Sequence, residues 1–595
     1  MRSATERIAQ SLETLYHGKA PELFDRLIAA VERSFPDWKS RSKSASDRVG
    51  RRFSRRDAIL ISYPDMLRAT GSPPLETLAD FAERRLAGLF SHIHVLPFFP
   101  SSSDEGFSVT DYRAVDGAMG TWESIGRLRR RFSLVFDLVL NHASAQSEWF
   151  RAFLEGRAPF DRYFVTRPQG YDARAVFRPR THPLLTGFRR PDGSTVQVWT
   201  TFSADQADLD YSRPEVLLEM ADVFLSYLSR GARILRLDAI AYVWKEDGTP
   251  CVDLPGAHAI VKLLRALVDL AAPDASLLTE TNLPHEANIS YFGSDDEANL
   301  VYNFALPPLV LHAFLSGRAD FLASWAARLP EPAEDRVFVN FLASHDGIGL
   351  TPARGIIPEE ELRRVVEEVA ARGGLVSARA APEGPVPYEL NATFLDAVAD
   401  PAAAPEDRAG VLLACHAVML ALAGLPAVYF HSLVGSGNWI EGPRVAGSAR
   451  AINRERLDLG ELERELDDPA ALRHAVFYGL ARLLRERAKR PAFDPSAAQR
   501  VLEPDGSGGI VSVSPGAAPL SRGPIFGLVR GRGPSATLAL VNVAARPATC
   551  VMPRDFWPGG EGLGTRDEAP PAIRGREVAL PPRSGAWIDG SYEGG

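Results

Sequence analysis

Cysteine is scarce in the 595-residue chain and long apolar runs are missing from it. The three cysteines, Cys251, Cys415 and Cys550, stand far apart, are odd in number and have no metal-ligand spacing. That pattern excludes a disulfide framework and a cysteine-built metal site, and free thiols in a reducing compartment are expected. No segment approaches the roughly 18 apolar residues that a membrane span requires. The first twenty residues, MRSATERIAQSLETLYHGKA, are amphipathic and polar, without the apolar core of a signal peptide. The expectation is a soluble, cytoplasmic protein with no membrane partner. Positive charge is also limited, with 67 Lys and Arg against 75 Asp and Glu for a net charge of −8. No basic block offers a nucleic-acid surface, and the short run Arg51, Arg52, Arg55, Arg56 is expected to be a solvated loop or helix face. Also missing are a Gly-rich phosphate loop ending in Lys-Ser/Thr, an H-E-x-x-H pair and a dinucleotide fingerprint after the first strand. Nucleotide- and metal-dependent chemistry therefore has no motif to support it.

What is present is ordinary globular material, 45% hydrophobic and 24% charged, enough for a large core. Residues 1 to 56 read as a charged helical extension, with apolar positions at helical spacing in ELFDRLIAAVERSF. Eight short apolar runs follow: AILISY (58–63), IHVLPFF (93–99), LVFDLVL (134–140), ILRLD (234–238), SLLTE (276–280), VYNFAL (301–306), VFVNFLA (337–343) and AVYFH (427–431). Helical patterns such as RPEVLLEMADVFLSYLSR and GAHAIVKLLRALVDLAA lie between several of them. Strands alternating with helices predict a parallel sheet buried on both faces, and eight such units predict an α/β fold, a (β/α)₈ TIM barrel spanning 57–490. Two connections are too long for plain crossovers: 144–213, an inserted loop domain without clear periodicity, and 350–410. Long insertions at strand C-termini are where a barrel builds its active site. From 491 to 595 the texture changes to short β-like runs with Gly and Pro turns, among them GGIVSVS, PIFGLVR and ATLALVNV, predicting a separate small β domain.

One of these runs holds an oddity. In ILRLDAIAY (234–242), Arg236 and Asp238 sit two positions apart on one face of an otherwise apolar strand. Burying a charge is expensive unless it is paired, and a lone Arg-x-Asp is most simply a structural ion pair. Other strand ends carry polar groups too: Asn141-His142 after the third, Glu280 at the fifth and His345-Asp346 at the seventh. Four polar ends on the functional face of one barrel are hard to explain as scattered core polarity. Three carboxylates with an arginine and two histidines suit cleavage of a glycosidic bond, one carboxylate attacking the anomeric carbon and another protonating the leaving oxygen. Retaining enzymes place those two groups about 5–5.5 Å apart, and adjacent strands lie about 4.8 Å apart, so Asp238 and Glu280 meet the requirement from successive strands. Arg236 is expected to lower the Asp238 carboxyl and hold it ionised.

The motifs LVFDLVLNH, ILRLDAIAY, LLTE and FLASHD stand where the α-amylase superfamily has its four signature regions, and the chain resembles that superfamily from about residue 57 to 590. The resemblance implies Asp238 as nucleophile, Glu280 as acid/base and Asp346 as the third carboxylate, with His142, Arg236 and His345 binding glucose. HVLPFFPSSSDEGFSVTDY, RLDAIAYVWKEDGTPC, VYNFALPPLVLHA, SHDGIG and RAINRE resemble the sucrose phosphorylase group more specifically. By that likeness Asp104 and Arg450 also grip the glucosyl unit, while Phe107 and Tyr242 form an apolar platform. The substrates implied are small molecules, an α-glucoside and inorganic phosphate. The resemblance implies retention, α-glucose 1-phosphate as product and no cofactor or metal. A homodimer is compatible with it.

The chain departs from sucrose phosphorylases in PYELN, where Tyr388 is followed by Glu389 in place of glutamine, and in HSLVGSGNW after the eighth strand. An ionised carboxylate accepts hydrogen bonds but cannot donate them. With the N-terminal extension, both features resemble the glucosylglycerate phosphorylase branch, whose acceptor, glycerate, is an anion. FRPRTH supplies Arg178, Arg180 and His182 as cations for phosphate or carboxylate, and Arg180 stands where relatives have a phosphate-contacting arginine. Sucrose, sucrose 6′-phosphate and glucosylglycerol remain rival substrates, hydrolysis or another transglucosylation remains a rival reaction, and a non-catalytic sugar-binding barrel is opposed by the intact carboxylates. Asp238→Ala is expected to abolish glucosyl transfer while the circular dichroism spectrum stays that of the folded chain; near-wild-type turnover would refute the assignment.

Overall fold

Each of the eight apolar runs becomes a parallel strand: β1 (Ile59–Ser62), β2 (His92–Val95), β3 (Ser133–Val139), β4 (Ala232–Asp238), β5 (Ser276–Thr279), β6 (Leu300–Tyr302), β7 (Val337–Asn340) and β8 (Leu425–Tyr429). Each pairs with the next, and β8 closes on β1 to make a TIM barrel. The computed structural model describes residues 3–40, 52–381, 384–504, 510–512, 523–560, 562–565 and 571–594. Arg51 and all of GGIVSVS except 510–512 lie outside them. Strands such as β1, β2 and β5 are buried at every position, as parallel strands covered on both faces must be. Several stop short of their apolar runs. β2 ends at Val95, two residues before Pro97, which has no N–H for the ladder. Leu306 opens a helix, Leu306–Ser316, rather than extending β6. His345 and Asp346 lie in the loop after β7, and His142 opens a short strand of its own, His142–Ser144.

The long third connection is not structureless. His142–Ser144 pairs antiparallel with Gln206–Asp208, and Leu185–Arg189 forms a hairpin with Thr195–Trp199. After β7, Leu375–Arg379 and Val386–Asn391 form a second hairpin over the barrel mouth. At the N-terminus, helix α1 (Ala4–Tyr16) begins with a Ser3/Glu6 capping box, and α2 (Ala20–Ser34) follows. They lie against two barrel helices, α3 (Pro214–Ser229) and α4 (Pro255–Ala271). Arg7 pairs with Asp269 at 2.7 Å and the Tyr16 hydroxyl donates to the Tyr211 carbonyl at 2.8 Å. These two helices flank β4, so the extension braces the strand that carries Arg236 and Asp238.

The arginine run expected to be solvated is partly built in. Arg52 pairs with Asp335 at 2.9 Å and donates to the carbonyls of Pro273 and Ala275, and Arg55 donates to the Ala488 carbonyl; Arg56 is exposed. Guanidinium donors match loop carbonyls left over at the barrel floor, which a charge count cannot reveal. Beyond the barrel, antiparallel strands from Gln499 to Tyr592 form a seven-stranded and a three-stranded sheet. The buried Arg530 ties them down by donating to the carbonyls of Ala421, Asp494 and Ala497. No helix among the described residues is long and apolar enough to cross a membrane.

One loop at the barrel mouth is strained. Asp104, Glu105 and Gly106 have φ of 51°, 48° and 110°, a left-handed run that costs free energy for non-glycine residues. A Cβ at Gly106 would lie 2.7 Å from Pro97 Cβ and 2.8 Å from its carbonyl oxygen. Gly106→Ala is expected to destabilise the chain by about 1–3 kcal/mol, read as a fall in the thermal midpoint; an unchanged midpoint would contradict this packing.

Candidate active site

Register builds the floor of the site. β3 and β4 pair with Asp137 opposite Arg236 and Val139 opposite Asp238, and β4 pairs with β5 so that Leu237 faces Thr279. Arg236 is 3% exposed. Its Nη1 bonds Asp137 on one side and donates to Asp238 Oδ1 at 2.9 Å on the other. Asp137 in turn bonds His94 Nε2 at 2.7 Å. The guanidinium also sits 5.7 Å from the Phe107 ring and 5.9 Å from that of Tyr302. Asp137 is a functional-site residue that the sequence reading missed. Its signal was there: one acid in the apolar run LVFDLVL, as conspicuous as Arg236 in ILRLD.

Immediately after Asp238 the chain turns sharply, with Ala239 at φ 51°. That turn aims the Ala239 N–H at Glu280 Oε2, 3.0 Å away, linking the ends of β4 and β5. Asp346 sits across the cavity with its carboxylate on Arg450 and 3.6 Å from Arg454. His345 Nε2 lies 3.6 Å from Asp346, and its ring stacks on Phe107 at 4.9 Å. His142 Nε2 donates to the Phe107 carbonyl at 3.0 Å.

Asp104, Phe107, His142, Arg180, Asp238, Tyr242, Glu280, His345, Asp346, Tyr388 and Arg450 line one cavity. Gln206, Phe202 and Asn282 line it as well, and the sequence reading did not single them out. Gln206 donates to Asp104 Oδ2 at 3.1 Å and lies 3.2 Å from His142 Nε2. It is reached only because its short strand pairs with that of His142. Glu389 lines an adjoining outer cavity together with Asp104, Arg180 and Arg450. It is 2% exposed and takes Arg450 in a two-point grip at 2.9 and 2.7 Å. Arg236 lies under the cavity floor. His182 departs from its expected role as a cation: burial, with Arg178 and Arg180 nearby, lowers its pKa, and its Nε2 is spent on the Thr200 carbonyl.

The electrostatics also depart from expectation at Asp238. Burial pushes its carboxyl well up, and Glu280, Asp137 and Asp346 add to the rise against the pull of Arg236. One guanidinium shared between Asp137 and Asp238 does not offset a desolvated cluster of acids. Glu280 is raised by burial and by Asp346, with Arg236 opposing. The two carboxyls titrate as a pair that retains a proton above the usual carboxylate range. Asp238 holds the direct guanidinium bond, while Glu280 accepts the Ala239 N–H. Asp346, also pushed up by burial, is nevertheless held well below the usual range chiefly by Arg450, with Arg454 and Arg236 adding. Burial lowers His142 and, further, His345, leaving both imidazoles neutral. A group raised on folding contributes stability below its unfolded pKa and loses it as pH rises through the folded value. Glu280→Gln is therefore expected to raise the melting temperature by about 1–3 °C at pH 7 and not at pH 4. A lower midpoint at pH 7 would mean that Glu280 is not a buried, destabilised acid.

A raised carboxyl beside an arginine-bound carboxylate, with a third carboxylate opposite, is competent for acid-assisted nucleophilic displacement. Comparison with known proteins gives the family. The family Alpha-amylase (alpha amylase, catalytic domain) matches residues 88–346. A glucosylglycerate phosphorylase from Spirochaeta thermophila is 46% identical over 560 residues, covering 93% of this chain and 91% of its own length. Another from Escherichia coli is 43% identical over 493 residues, 82% of this chain and 87% of its own. Among solved structures, a sucrose 6F-phosphate phosphorylase from Thermoanaerobacter thermosaccharolyticum superposes with a TM-score of 0.70 at 26% identity, over 82% of this chain and 94% of that one. The chain belongs to the α-amylase family and, within it, to the glycoside phosphorylases.

Proposed function

We propose that this phosphorylase transfers glucose from 2-O-α-glucosylglycerate to inorganic phosphate with retention, through a covalent glucosyl-enzyme. The observation that carries the reading is the meeting of Asp238 and Glu280 on adjacent strand ends, one bonded to a guanidinium and the other raised by burial and by Asp346. In the first half-reaction an Asp238 oxygen forms a bond to the anomeric carbon and the glycosidic C–O bond breaks. Glu280 gives its proton to the departing oxygen, and D-glycerate leaves. In the second, a phosphate oxygen attacks the same carbon from the opposite face to Asp238. The ester to Asp238 breaks, the Glu280 carboxylate takes a proton from the incoming phosphate, and α-glucose 1-phosphate leaves. Two inversions amount to retention.

The remaining groups hold the sugar. Asp346 and Arg450, paired with each other, offer acceptor and donor to sugar hydroxyls, and Asp104 and the neutral His142 and His345 complete the grip. Phe107 and Tyr242 face the oxocarbenium-like centre with apolar rings. Arg180, 5.7 Å from the Tyr388 ring and 5.9 Å from that of Phe202, is the cation for phosphate. Supporting glycerate as acceptor are the names of the relatives at 46% and 43% identity. A physical objection, that Glu389 repels an anionic acceptor, is met by its pairing with Arg450. The neutralised carboxylate is left to accept from acceptor hydroxyls.

The test is release of α-glucose 1-phosphate in phosphate buffer, with glucosylglycerate and sucrose supplied separately. Release from glucosylglycerate far above that from sucrose is expected. Release from sucrose alone would keep the mechanism and discard the acceptor, and free glucose with no glucose 1-phosphate would discard phosphorolysis.

A further inference from the structure

The arginines around the catalytic carboxylates divide into two kinds. Arg236, Arg450 and Arg454 are held by acids. Arg180 and Arg379 are not: among the described residues no carboxylate lies within ion-pair range of either. Arg180 donates to the Pro179 carbonyl at 3.3 Å and Arg379 to the Ala380 carbonyl at 3.2 Å. Each of these guanidiniums has five N–H donors, and each is only half-exposed. A half-exposed guanidinium with most of its donors unspent by the protein is suited to meet an anion.

Both flank one aromatic group. Arg379 lies 5.8 Å from the Phe177 ring, and Phe177 is 6.4 Å from Tyr242. Arg180 lies over Phe202, itself 5.2 Å from Tyr242. The fields of both guanidiniums reach the Tyr242 hydroxyl, which burial pushes up and both oppose. Arg379 is carried by the hairpin strand Leu375–Arg379, whose Ser377 pairs in register with Glu389. Ser377 and Ala378 line the outer cavity, and a bulge between them re-aims the strand just before Arg379.

We propose that Arg379 is an acceptor-specificity residue, the guanidinium that receives the carboxylate of an anionic acceptor while Arg180 serves phosphate. The inference rests on the phosphorylase reading above and deepens it. Departing acceptor and incoming phosphate use one subsite in turn, and both are anions. One arginine favours both alike, whereas a second, placed on the acceptor hairpin, favours only the ligand whose charge lies farther from the reacting oxygen. In glycerate the carboxylate is one carbon removed from the glycosidic oxygen, while the oxygens of phosphate surround the attacking atom.

The experiment compares wild type, Arg379→Gln and Arg379→Lys in both directions, with D-glycerate and neutral glycerol as acceptors for glucosyl transfer from α-glucose 1-phosphate. Arg379→Gln is expected to raise KM for glycerate and for glucosylglycerate about tenfold or more. KM for phosphate, KM for glycerol, kcat and the melting temperature should stay near wild type, and Arg379→Lys should recover part of the loss. Equal changes with glycerate and glycerol, or a change confined to phosphate, would overturn the assignment. If wild type itself prefers glycerol to glycerate, the acceptor reading fails and Arg379 falls with it. If wild type prefers glycerate and the variant keeps that preference, only the role of Arg379 fails.

Discussion

A single buried guanidinium sets the terms for the rest of the site. Arg236 lies between Asp137 beneath and Asp238 above, out of water and bonded to both. Removing such a charge from solvent costs several kcal/mol per ion, and breaking one partner of a buried pair costs about 3–5 kcal/mol. The arrangement persists because the barrel register places Asp137 opposite Arg236, Asp238 follows two residues later on the same face of the strand, and His94 closes the chain from below. The compensation is incomplete by one proton. Asp137, Asp238 and Glu280 crowd Arg236, and Asp238 and Glu280 share the retained proton. The same balance is struck across the cavity, where Arg450 is divided between Asp346 and Glu389. Asp346, with Arg454 and His345 also beside it, stays ionised. Asp346 thus lies low where Asp238 and Glu280 lie high because more guanidinium surrounds it.

Rigid scaffolding makes that charge pattern usable. Asp238 ends a strand, and the left-handed turn at Ala239 directs an N–H to Glu280 instead of leaving it to solvent. A second left-handed run holds Asp104 at the mouth, and Glu105 anchors it by pairing with Arg456 at 2.8 Å. Backbone strain of this kind persists only where the surroundings over-determine it, and here a partly buried ion pair and a close-packed proline do so. The outer walls of the cavity, by contrast, come from the two insertions. The hairpin after β7 brings Tyr388 and Glu389, the third connection brings Arg180 and Phe202, and neither belongs to the barrel's closed ladder. The barrel thus supplies the floor of the cavity and variable loops supply its walls.

Much of this was legible before any coordinates. Eight apolar runs of strand length separated by helical patterns leave few architectures other than a barrel, because parallel strands buried on both faces must be apolar throughout. For the same reason a charge inside such a run stands out, and Arg236, Asp238 and Glu280 were visible as chemistry. Asp137 was equally conspicuous and passed over. Gln206, Phe202 and Asn282 were not legible, since they sit in loops whose polarity is unremarkable and reach the cavity only through long-range pairing. Nor was the arginine run at 51–56 readable from charge alone, because its partners are backbone carbonyls and an acid hundreds of residues away.

The boundary between sequence and structure therefore falls between residue type and residue environment. The order of apolar and polar positions determines the barrel, its closure and which carboxylates end its strands, since burial acts on each strand locally. Which carboxyl keeps its proton, which arginine is already spent on an acid and which is left to meet a ligand are decided only by tertiary structure. Those properties depend on desolvation and on charges a few ångströms apart in space, contributed by strands and loops far apart in the chain.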